Sequence, residues 1–502
     1  MRQFTLSLIC AAGLLSTLLT GCGTNVVNPV TGQAERSVMS EADEVAEGQK
    51  SHTQVLQEYG ALNNPRLQAY VNDLGQRLAK SSHRNQLKWT FTVLDSPEIN
   101  AFALPGGYVY VTRGILAYME DEADLAGVIG HEIGHVTARH GAQRATRQQN
   151  AGLGVLAASV LGAVLEAKGV TGAGQAASQV SQTAAAGYIA TYGREQELQA
   201  DGLGAEYLSR TNYDPKNMIN VITVLKNQEK FAADQAAREG RAAPAQSSWL
   251  ASHPSNDQRL QAITQTAAQY KGNYSDDGRA RYLQAINGMG YGEGAEQGVT
   301  RGRNFYHEAL GIAITAPVGW RIQNSNDQLV FVNAERDAAL VVVAAPPQAG
   351  KTHDEVIRSV LKPTQGNADR LTINGLQATH FVGARNDAQG KVQNLEATVV
   401  NGPANASGSA IYVLNYAAKD AATLQRARAQ MQETQNTFRA LNAAERAAAK
   451  PWIIRAVAYP RGGFAELART SPLPSAQAQL RLVNGFYGGG EPKPGQLVKV
   501  IE

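Results

Sequence analysis

The most specific chemical pattern in the chain is His131-Glu132-Ile133-Gly134-His135, which matches H-E-x-x-H. Residues four apart lie on one face of a helix, one turn apart, so both imidazoles can hold a single metal ion. Two histidines at this spacing suit Zn²⁺, whose bonds to nitrogen measure about 2.0–2.1 Å. The pattern therefore predicts a zinc site on a helix, with an acid between its two histidines.

The surrounding sequence places Glu132 in an apolar setting. On a helical wheel this acid falls inside an apolar stripe that the two histidines flank, formed by Leu125, Val128, Ile129, Ile133 and Val136. Burying an unpaired carboxylate is costly, so a purely structural helix would not place an acid there. A general base beside a metal-bound water explains its presence, and we predict that role for Glu132.

A second acidic pair offers the third ligand. Glu197 and Asp201 lie four apart in R-E-Q-E-L-Q-A-D, residues 194–201, where a helix is predicted over about Arg194–Arg210. We predict that Glu197 completes a His₂Glu site and that Asp201 accepts a hydrogen bond from one ligand histidine, fixing its tautomer. A solvated helix face is the alternative for this pair. His140 misses the register of a third ligand histidine by one residue and is predicted to be a core histidine.

These motifs, taken in order, resemble the metallopeptidase family 48. N-A-F-A-L-P-G-G at 100–107 precedes H-E-x-x-H, and R-x-x-E-x-x-A-D and then Ser252-His253-Pro254 with Arg259 follow it, although Gly193 replaces the family's usual Ser. The family comprises HtpX-like, BepA-like and CAAX prenyl endopeptidase-like gluzincins. The resemblance implies a mainly helical gluzincin domain with one Zn²⁺ per chain, whose ligands are His131, His135 and Glu197.

The chemistry that the resemblance implies is peptide-bond hydrolysis. A Zn²⁺ with three protein ligands leaves a position for water and lowers the pKa of that water toward neutrality. Glu132 would take the water proton and pass it to the leaving amine. The strand predicted over Tyr108–Thr112 would pair with an extended substrate. His253 could stabilise the oxyanion or bind the zinc as a fourth, silencing ligand; a structural loop histidine is the alternative.

The N-terminus resembles a bacterial lipoprotein signal. A short apolar run, Phe4–Leu19, ends in Leu19-Thr20-Gly21-Cys22. The resemblance implies cleavage before Cys22 and lipidation of that cysteine; an ordinary signal peptide or an uncleaved anchor is the alternative. No Asp follows Cys22, so we expect the outer membrane, facing the periplasm. Cys10 and Cys22 are the only cysteines, which excludes a disulfide-stapled fold.

Composition and pattern predict an α+β, multidomain fold for the 502 residues. The net charge of +3, without a dense Lys/Arg run, argues against a nucleic-acid partner. A long helix is predicted from about Asp121 to Thr146, and the apolar residues 151–165 are predicted to form a buried or membrane-touching helix. The predicted domains are a signal peptide over 1–21, a tether over 22–40, a zinc metallopeptidase domain over 41–274, a linker over 275–303, an α+β accessory domain over 304–443 and a small module over 451–502.

Two further resemblances concern the C-terminal half. Leu310 to Trp320 resembles the start of PsbP/Mog-like domains. F-A-E-L-A at 464–468, L-V-N-G at 482–485 and P-G-Q-L-V-K-V at 494–500 resemble a LysM-type βααβ module, which implies peptidoglycan binding. The usual Gly-Asp-Thr opening is absent, so a protein-docking or structural role stays open for this module.

Three functions follow as hypotheses. The first is a lipid-anchored zinc endopeptidase that hydrolyses unfolded or misassembled envelope proteins. The second is an assembly factor or chaperone for outer-membrane proteins that works with the assembly machinery and rarely cleaves. The third is a scaffold that binds the cell wall.

Overall fold

A computed structural model describes residues 24–149, 193–238, 240, 249, 253, 257–325, 328–386, 390–404 and 409–502. The predicted signal peptide, Cys22 and the predicted helix over 151–165 lie outside these ranges. The chain divides into two units, Met1–Met289 with Ile454–Glu502, and Gly290–Ile453. No helix within the described ranges is long and apolar enough to cross a membrane.

The described part of the first unit begins with a hairpin of β1 (Thr24–Val27) and β2 (Ala34–Ser37), which pair antiparallel. These strands lie in the segment predicted as a tether. Asn28 Nδ2 fastens the hairpin to the segment that follows the H-E-x-x-H motif by donating to Ala138 O at 3.3 Å. Two helices follow, α1 (Glu41–Tyr59) and α2 (Pro65–Lys80).

A three-stranded sheet comes next, formed by β3 (Thr90–Leu94), β4 (Ala101–Leu104) and β5 (Tyr108–Thr112). The strand order is β3-β5-β4, with β5 parallel to β3 and antiparallel to β4. The prediction that Tyr108–Thr112 pairs with a substrate is therefore wrong, because both of its edges are already hydrogen-bonded. Within the described residues, β4 is paired only with β5.

Among the described residues, the named helices that follow are α3 (Arg113–Tyr118), α4 (Glu122–Thr137), α5 (Arg194–Arg210), α6 (Asn217–Arg238), α7 (Asp257–Ala267) and α8 (Arg279–Ile286). The bounds of α5 confirm the helix predicted there. The predicted helix from Asp121 to Thr146 is interrupted, because Arg139 has a φ of 60° before helical residues resume at 140–149. The Arg139 side chain holds this turn by donating to Glu44 Oε1 and Met39 O, each at 2.8 Å.

The second unit contains the strands β6 (Gly290–Tyr291), β7 (Val299–Arg301), β8 (Asn304–His307), β9 (Ile312–Thr315), β10 (Arg321–Asn324), β11 (Leu329–Val332), β12 (Ala338–Ala344), β13 (Gln365–Ile373), β14 (Leu376–Asn386), β15 (Val392–Asn401), β16 (Ile411–Ala418) and β17 (Arg439–Ala440). Its helices are α9 (His353–Val356), α10 (Ala421–Asn436) and α11 (Ala443–Ala448), with short 3₁₀ and π turns at Pro347–Ala349 and Ile357–Leu361.

A seven-stranded antiparallel sheet has the order β10-β11-β12-β16-β15-β14-β13, and a four-stranded sheet has the order β17-β9-β8-β7. Phe331, Leu340, Leu414 and Met431 lie in the core of this unit, since α10 packs on the sheet.

The chain ends with β18 (Trp452–Ala458), α12 (Gly463–Leu467), α13 (Ala476–Val483) and β19 (Leu497–Ile501), in which β18 pairs antiparallel with β19. Residues from Ile454 onward belong to the first unit. The fully buried Lys499 anchors them, because its Nζ donates to Ala117 O at 2.8 Å and to Met119 O at 2.6 Å. Taken together, the elements confirm a mixed helix and strand fold whose H-E-x-x-H domain is mainly helical.

Candidate metal centre

Helix α4 carries the H-E-x-x-H motif in the interior of the first unit. Asp121 caps its N-terminus by accepting a hydrogen bond from the backbone N–H of Asp124 at 2.8 Å. Every residue of α4 is buried, and His131, Glu132 and His135 are only 1–2% exposed. The motif therefore presents its side chains to a largely water-excluded interior.

Small residues allow α5 to lie close against α4. A Cβ added to Gly134 would come within 2.9 Å of Ala200 O, and one added to Gly130 would lie 3.4 Å from the Cα of Gly204. The first of these distances is shorter than a real side chain tolerates, so glycine at 134 is needed for the contact. This close approach brings Glu197 of α5 to the two histidines.

Four donor groups converge at this contact: His131, His135, Glu197 and His253 have ligand atoms that all lie within 4.8 Å of one another. His131 Nε2 and His135 Nε2 are 3.0 Å apart. Oxygens of Glu197 lie 3.6 Å from His131 Nε2 and 3.5 Å from His135 Nε2. His253 Nδ1 lies 3.2 Å from His131 Nε2 and 3.0 Å from Glu197 Oε1.

This donor set fits Zn²⁺. Imidazole nitrogen and carboxylate oxygen are ordinary zinc ligands, and tetrahedral bonds of about 2.0–2.1 Å separate neighbouring ligands by about 3.3 Å. The measured separations of 3.0–3.6 Å bracket that value. Burial, reinforced by His131, lowers the pKa of His135 well below its ordinary range, so this imidazole is neutral, as metal binding requires.

Asp201 lies on the far side of the His131 ring, with its Oδ1 at 2.9 Å from His131 Nδ1. Arg259 of α7 donates to both oxygens of this carboxylate. Burial by itself would raise the pKa of Asp201, but the charge and hydrogen bonds of Arg259 lower it to about 2. The ionised carboxylate favours the His131 tautomer that carries its proton on Nδ1, which leaves the Nε2 lone pair facing the other donors.

Glu132 lies beside the donor group and is not one of its four members. Trp249 Nε1 donates to Glu132 Oε1 at 3.4 Å, and His253 Nε2 lies 3.7 Å from the same oxygen. The Trp249 ring also stacks on His253, with ring centroids 4.9 Å apart. Trp249 could not be predicted from the sequence, because a lone tryptophan beside Ala- and Ser-rich residues has no periodicity to mark it.

His253 faces two ways, with Nδ1 among the donors and Nε2 toward Glu132. Its backbone is held on both sides, since its N–H donates to Trp249 O at 2.8 Å and its carbonyl accepts from Arg259 Nη1 at 3.0 Å. The sequence leaves several roles open for His253. The role of a fourth ligand requires its Nδ1 to lie among the metal donors, as it does here.

Residues 65–267 match Peptidase family M48. The beta-barrel assembly-enhancing protease of Yersinia pestis is 29% identical over 243 residues, which are 48% of each chain. The mitochondrial metalloendopeptidase OMA1 of Schizosaccharomyces pombe is 30% identical over 236 residues, which are 45% of this chain and 63% of that one. The chain therefore spans about half the length of the Yersinia relative. The solved structure of the Saccharomyces cerevisiae Ran-binding protein Mog1p is 13% identical, and it covers 29% of this chain and 99% of that one. Its TM-score of 0.21 assigns no fold to the second unit.

Proposed function

We propose that the chain is a zinc metalloendopeptidase of the bacterial envelope, since residues 65–267 match Peptidase family M48. Its substrates would be misfolded or misassembled envelope proteins, a role in quality control. The convergence of His131, His135 and Glu197, with Glu132 buried beside them, is the observation that carries this proposal. These residues supply a His₂Glu ligand set and a separate base, which peptide hydrolysis by zinc requires.

The chain's own residues divide the chemistry between them. Zn²⁺, when bound, supplies the Lewis acidity that lowers the pKa of a water molecule and polarises the peptide carbonyl. Glu132 accepts the proton of the attacking water and returns it to the leaving amine. Asp201 keeps His131 in the tautomer whose lone pair faces the ion, because its carboxylate lies 2.9 Å from His131 Nδ1.

Strand β4 replaces β5 as the strand that we propose binds an extended substrate. Among the described residues β4 pairs only with β5, so its second edge offers backbone N–H and C=O groups to a peptide. Strand β4 packs beside α4, and its residues Ala103 and Leu104, with Pro105, lie next to His135 around a small cavity. A peptide added to this edge would therefore run along the metal centre.

A second candidate function is supported by His253. Its Nδ1 already lies among the metal donors, and four protein ligands would close the site to water. Such a protein would act mainly as an assembly factor or chaperone for outer-membrane proteins, with a restrained protease activity. Release of His253 from the ion would switch the chain from the restrained state to the hydrolytic one.

The remaining proposals concern anchoring and partners. Lipidation of Cys22 would attach the chain to the outer membrane, facing the periplasm. We retain the PsbP/Mog-like assignment for residues 304–443 and the LysM-like assignment for residues 451–502, with peptidoglycan or the outer-membrane assembly machinery as partners. The buried anchor at Lys499 supports a structural role for the last module beside, or instead of, glycan binding. Sedimentation of the full chain with peptidoglycan tests the scaffold alternative.

The decisive experiment measures zinc content and casein cleavage for the wild type and Glu132→Gln. We expect about one zinc per chain in both proteins, and proteolysis reduced by roughly 10²–10⁴-fold or more in the variant. A wild type that binds no zinc would refute the proposed function. If Glu132→Gln cleaves casein at the wild-type rate, Glu132 is not the base.

A further inference from the structure

His140 lies against the second histidine of the H-E-x-x-H motif, outside the group of four metal donors. Its side chain is fully buried. His140 Nδ1 is 2.8 Å from His135 Nδ1, and His140 Nε2 is 3.0 Å from Gln199 Oε1. A chain of contacts therefore runs from Gln199 on α5, through His140, to His135, whose Nε2 faces the other metal donors.

The turn at Arg139 makes this contact possible. In a continuous helix, residue 140 would project about 140° around the axis from residue 135, five positions earlier. Arg139 instead adopts a φ of 60°, a conformation that a non-glycine residue takes only when other contacts hold it. Its guanidinium donates to Glu44 Oε1 and Met39 O, so these contacts stabilise the turn that brings the two rings together.

The contacts of His140 with His135 and Gln199 indicate where the protons lie. His135 Nε2 faces the other donors, 3.0 Å from His131 Nε2, so it must offer a lone pair to bind a cation. Its proton is then on Nδ1, which donates to His140 Nδ1. His140 must therefore carry its own proton on Nε2, and this N–H donates to the amide oxygen of Gln199.

We propose that His140 is a positioning residue that holds the His135 ring and its Nδ1–H tautomer, with Gln199 fixing His140 in turn. The inference rests on the proposed zinc function. It assigns two orienting residues to α5, because Asp201 acts on His131 directly and Gln199 acts on His135 through His140. Such partners behind metal ligands typically change metal affinity by about 10–100-fold.

A matched pair of substitutions separates positioning from packing. Asparagine and leucine have the same branched shape, but an asparagine oxygen can stand where His140 Nδ1 stands and accept from His135, whereas a leucine methyl cannot. In the full-length protein, zinc affinity is measured by competition with a chromophoric chelator, and thermal unfolding is measured for the zinc-free forms. We expect His140→Leu to weaken zinc affinity by about 10–100-fold and His140→Asn to recover most of that loss.

Equal zinc affinities for the leucine variant and the wild type would overturn the inference, as would equal losses in the leucine and asparagine variants. If His140→Leu does not fold, Gln199→Met is the second test, since residue 199 is only half-buried. It should weaken zinc affinity by about two- to tenfold while leaving zinc-free unfolding unchanged, and an unaltered affinity would refute the orienting role of the chain of contacts through His140. Zinc bound normally by the wild type and by all three variants would reject this inference while leaving the proposed function standing.

Discussion

Arg259 holds Asp201 with two hydrogen bonds, from Nε to Oδ2 at 2.5 Å and from Nη2 to Oδ1 at 2.7 Å. The same guanidinium places its Nη1 at 2.8 Å from Glu197 Oε2. One buried cation thus binds both the carboxylate that lies against His131 Nδ1 and the carboxylate that belongs to the candidate metal donors. A planar guanidinium suits this task because it donates along fixed directions to several oxygens at once.

The two acids of α5 should differ sharply when each is removed. Glu197→Ala should strip the zinc of the proposed His₂Glu site, because His131 and His135 alone give too few protein ligands; a variant that keeps its zinc would show that His253 serves as the third ligand. Asp201→Ala should weaken zinc affinity by only about 10–100-fold. Glu195→Ala, an exposed acid on the same helix, is the matched control and should keep wild-type affinity. Chelator competition measures all three, and a reversed order of the first two would contradict the assignment of ligand and orienting residue.

Removal of His253 should release the restraint on the metal centre. His253→Ala keeps three donors, so we expect zinc to stay bound and casein cleavage to become faster than in the wild type. The double variant His253→Ala with Glu132→Gln is the control, and it should be inactive if the gain arises at this site. Cleavage slower by about 10²–10³-fold would instead assign His253 to the oxyanion, and an unchanged rate would leave it a structural residue.

Glu122 should make the first unit sensitive to acid. Burial would raise the pKa of Glu122, but hydrogen bonds from Arg281, Tyr213 and Tyr70 lower it to about 2. A lowered carboxyl pKa contributes stability above its unfolded value of about 4.3, and that stability is lost as the pH falls toward the folded value. Glu122→Gln should therefore lower the free energy of unfolding by about 1.5–3 kcal/mol near neutral pH.

Urea unfolding of the zinc-free wild type and Glu122→Gln, at about pH 7 and about pH 3, measures this effect. The difference between the two proteins should shrink at the lower pH. A difference that stays constant would contradict a lowered pKa for Glu122.

Lys499 should contribute to the stability of the whole first unit. Burial lowers the pKa of Lys499 to about 7, with Glu120 acting in the opposite direction. Lys499→Met leaves the carbonyls of Ala117 and Met119 without this donor, which should lower the free energy of unfolding by about 1–3 kcal/mol. Lys493→Met, at an exposed lysine of the same segment, should change it by less than about 0.5 kcal/mol. Equal effects in urea unfolding would show that Lys499 does not anchor this segment.

We expect Cys22 to determine the location of the chain in the cell envelope. Cys22→Ser should appear in the soluble periplasm or remain attached through an uncut signal, whereas Cys10→Ser should fractionate like the wild type. Membrane fractionation combined with mass spectrometry of the N-terminus distinguishes these forms. A Cys22→Ser protein that is cleaved, carries no lipid and still fractionates tightly with the outer membrane would refute lipid anchoring.

Local spacing was sufficient to predict which side chains share a helix face. His131 and His135, like Glu197 and Asp201, lie four apart on α4 and α5, where hydrogen bonds along the backbone repeat every 3.6 residues. The bounds of α5 were predicted correctly for the same reason. The apolar stripe also predicted that Glu132 is buried, and the structure confirms this burial, while its role as a base stays a prediction.

Strand order could not be predicted in the same way. Alternation marks Tyr108–Thr112 as a strand, but an inner strand and an edge strand can share that pattern. The partners of β5 come from β3 and β4, and only their packing shows that its edges are used. The continuous helix predicted through residue 146 failed for a related reason, since the turn at Arg139 is held by Glu44, which is distant in sequence.

The sequence by itself determined which donor groups are available to the candidate metal centre, through the types and spacing of residues 131–135 and 194–201. The tertiary structure decided which of these groups meet, and it alone placed His140 behind His135 and Trp249 beside Glu132. The physical reason is the range of the forces involved. Helix periodicity arises from hydrogen bonds between near neighbours in the chain, whereas a ligand set assembled from α4, α5 and residue 253 depends on close packing between segments far apart in sequence.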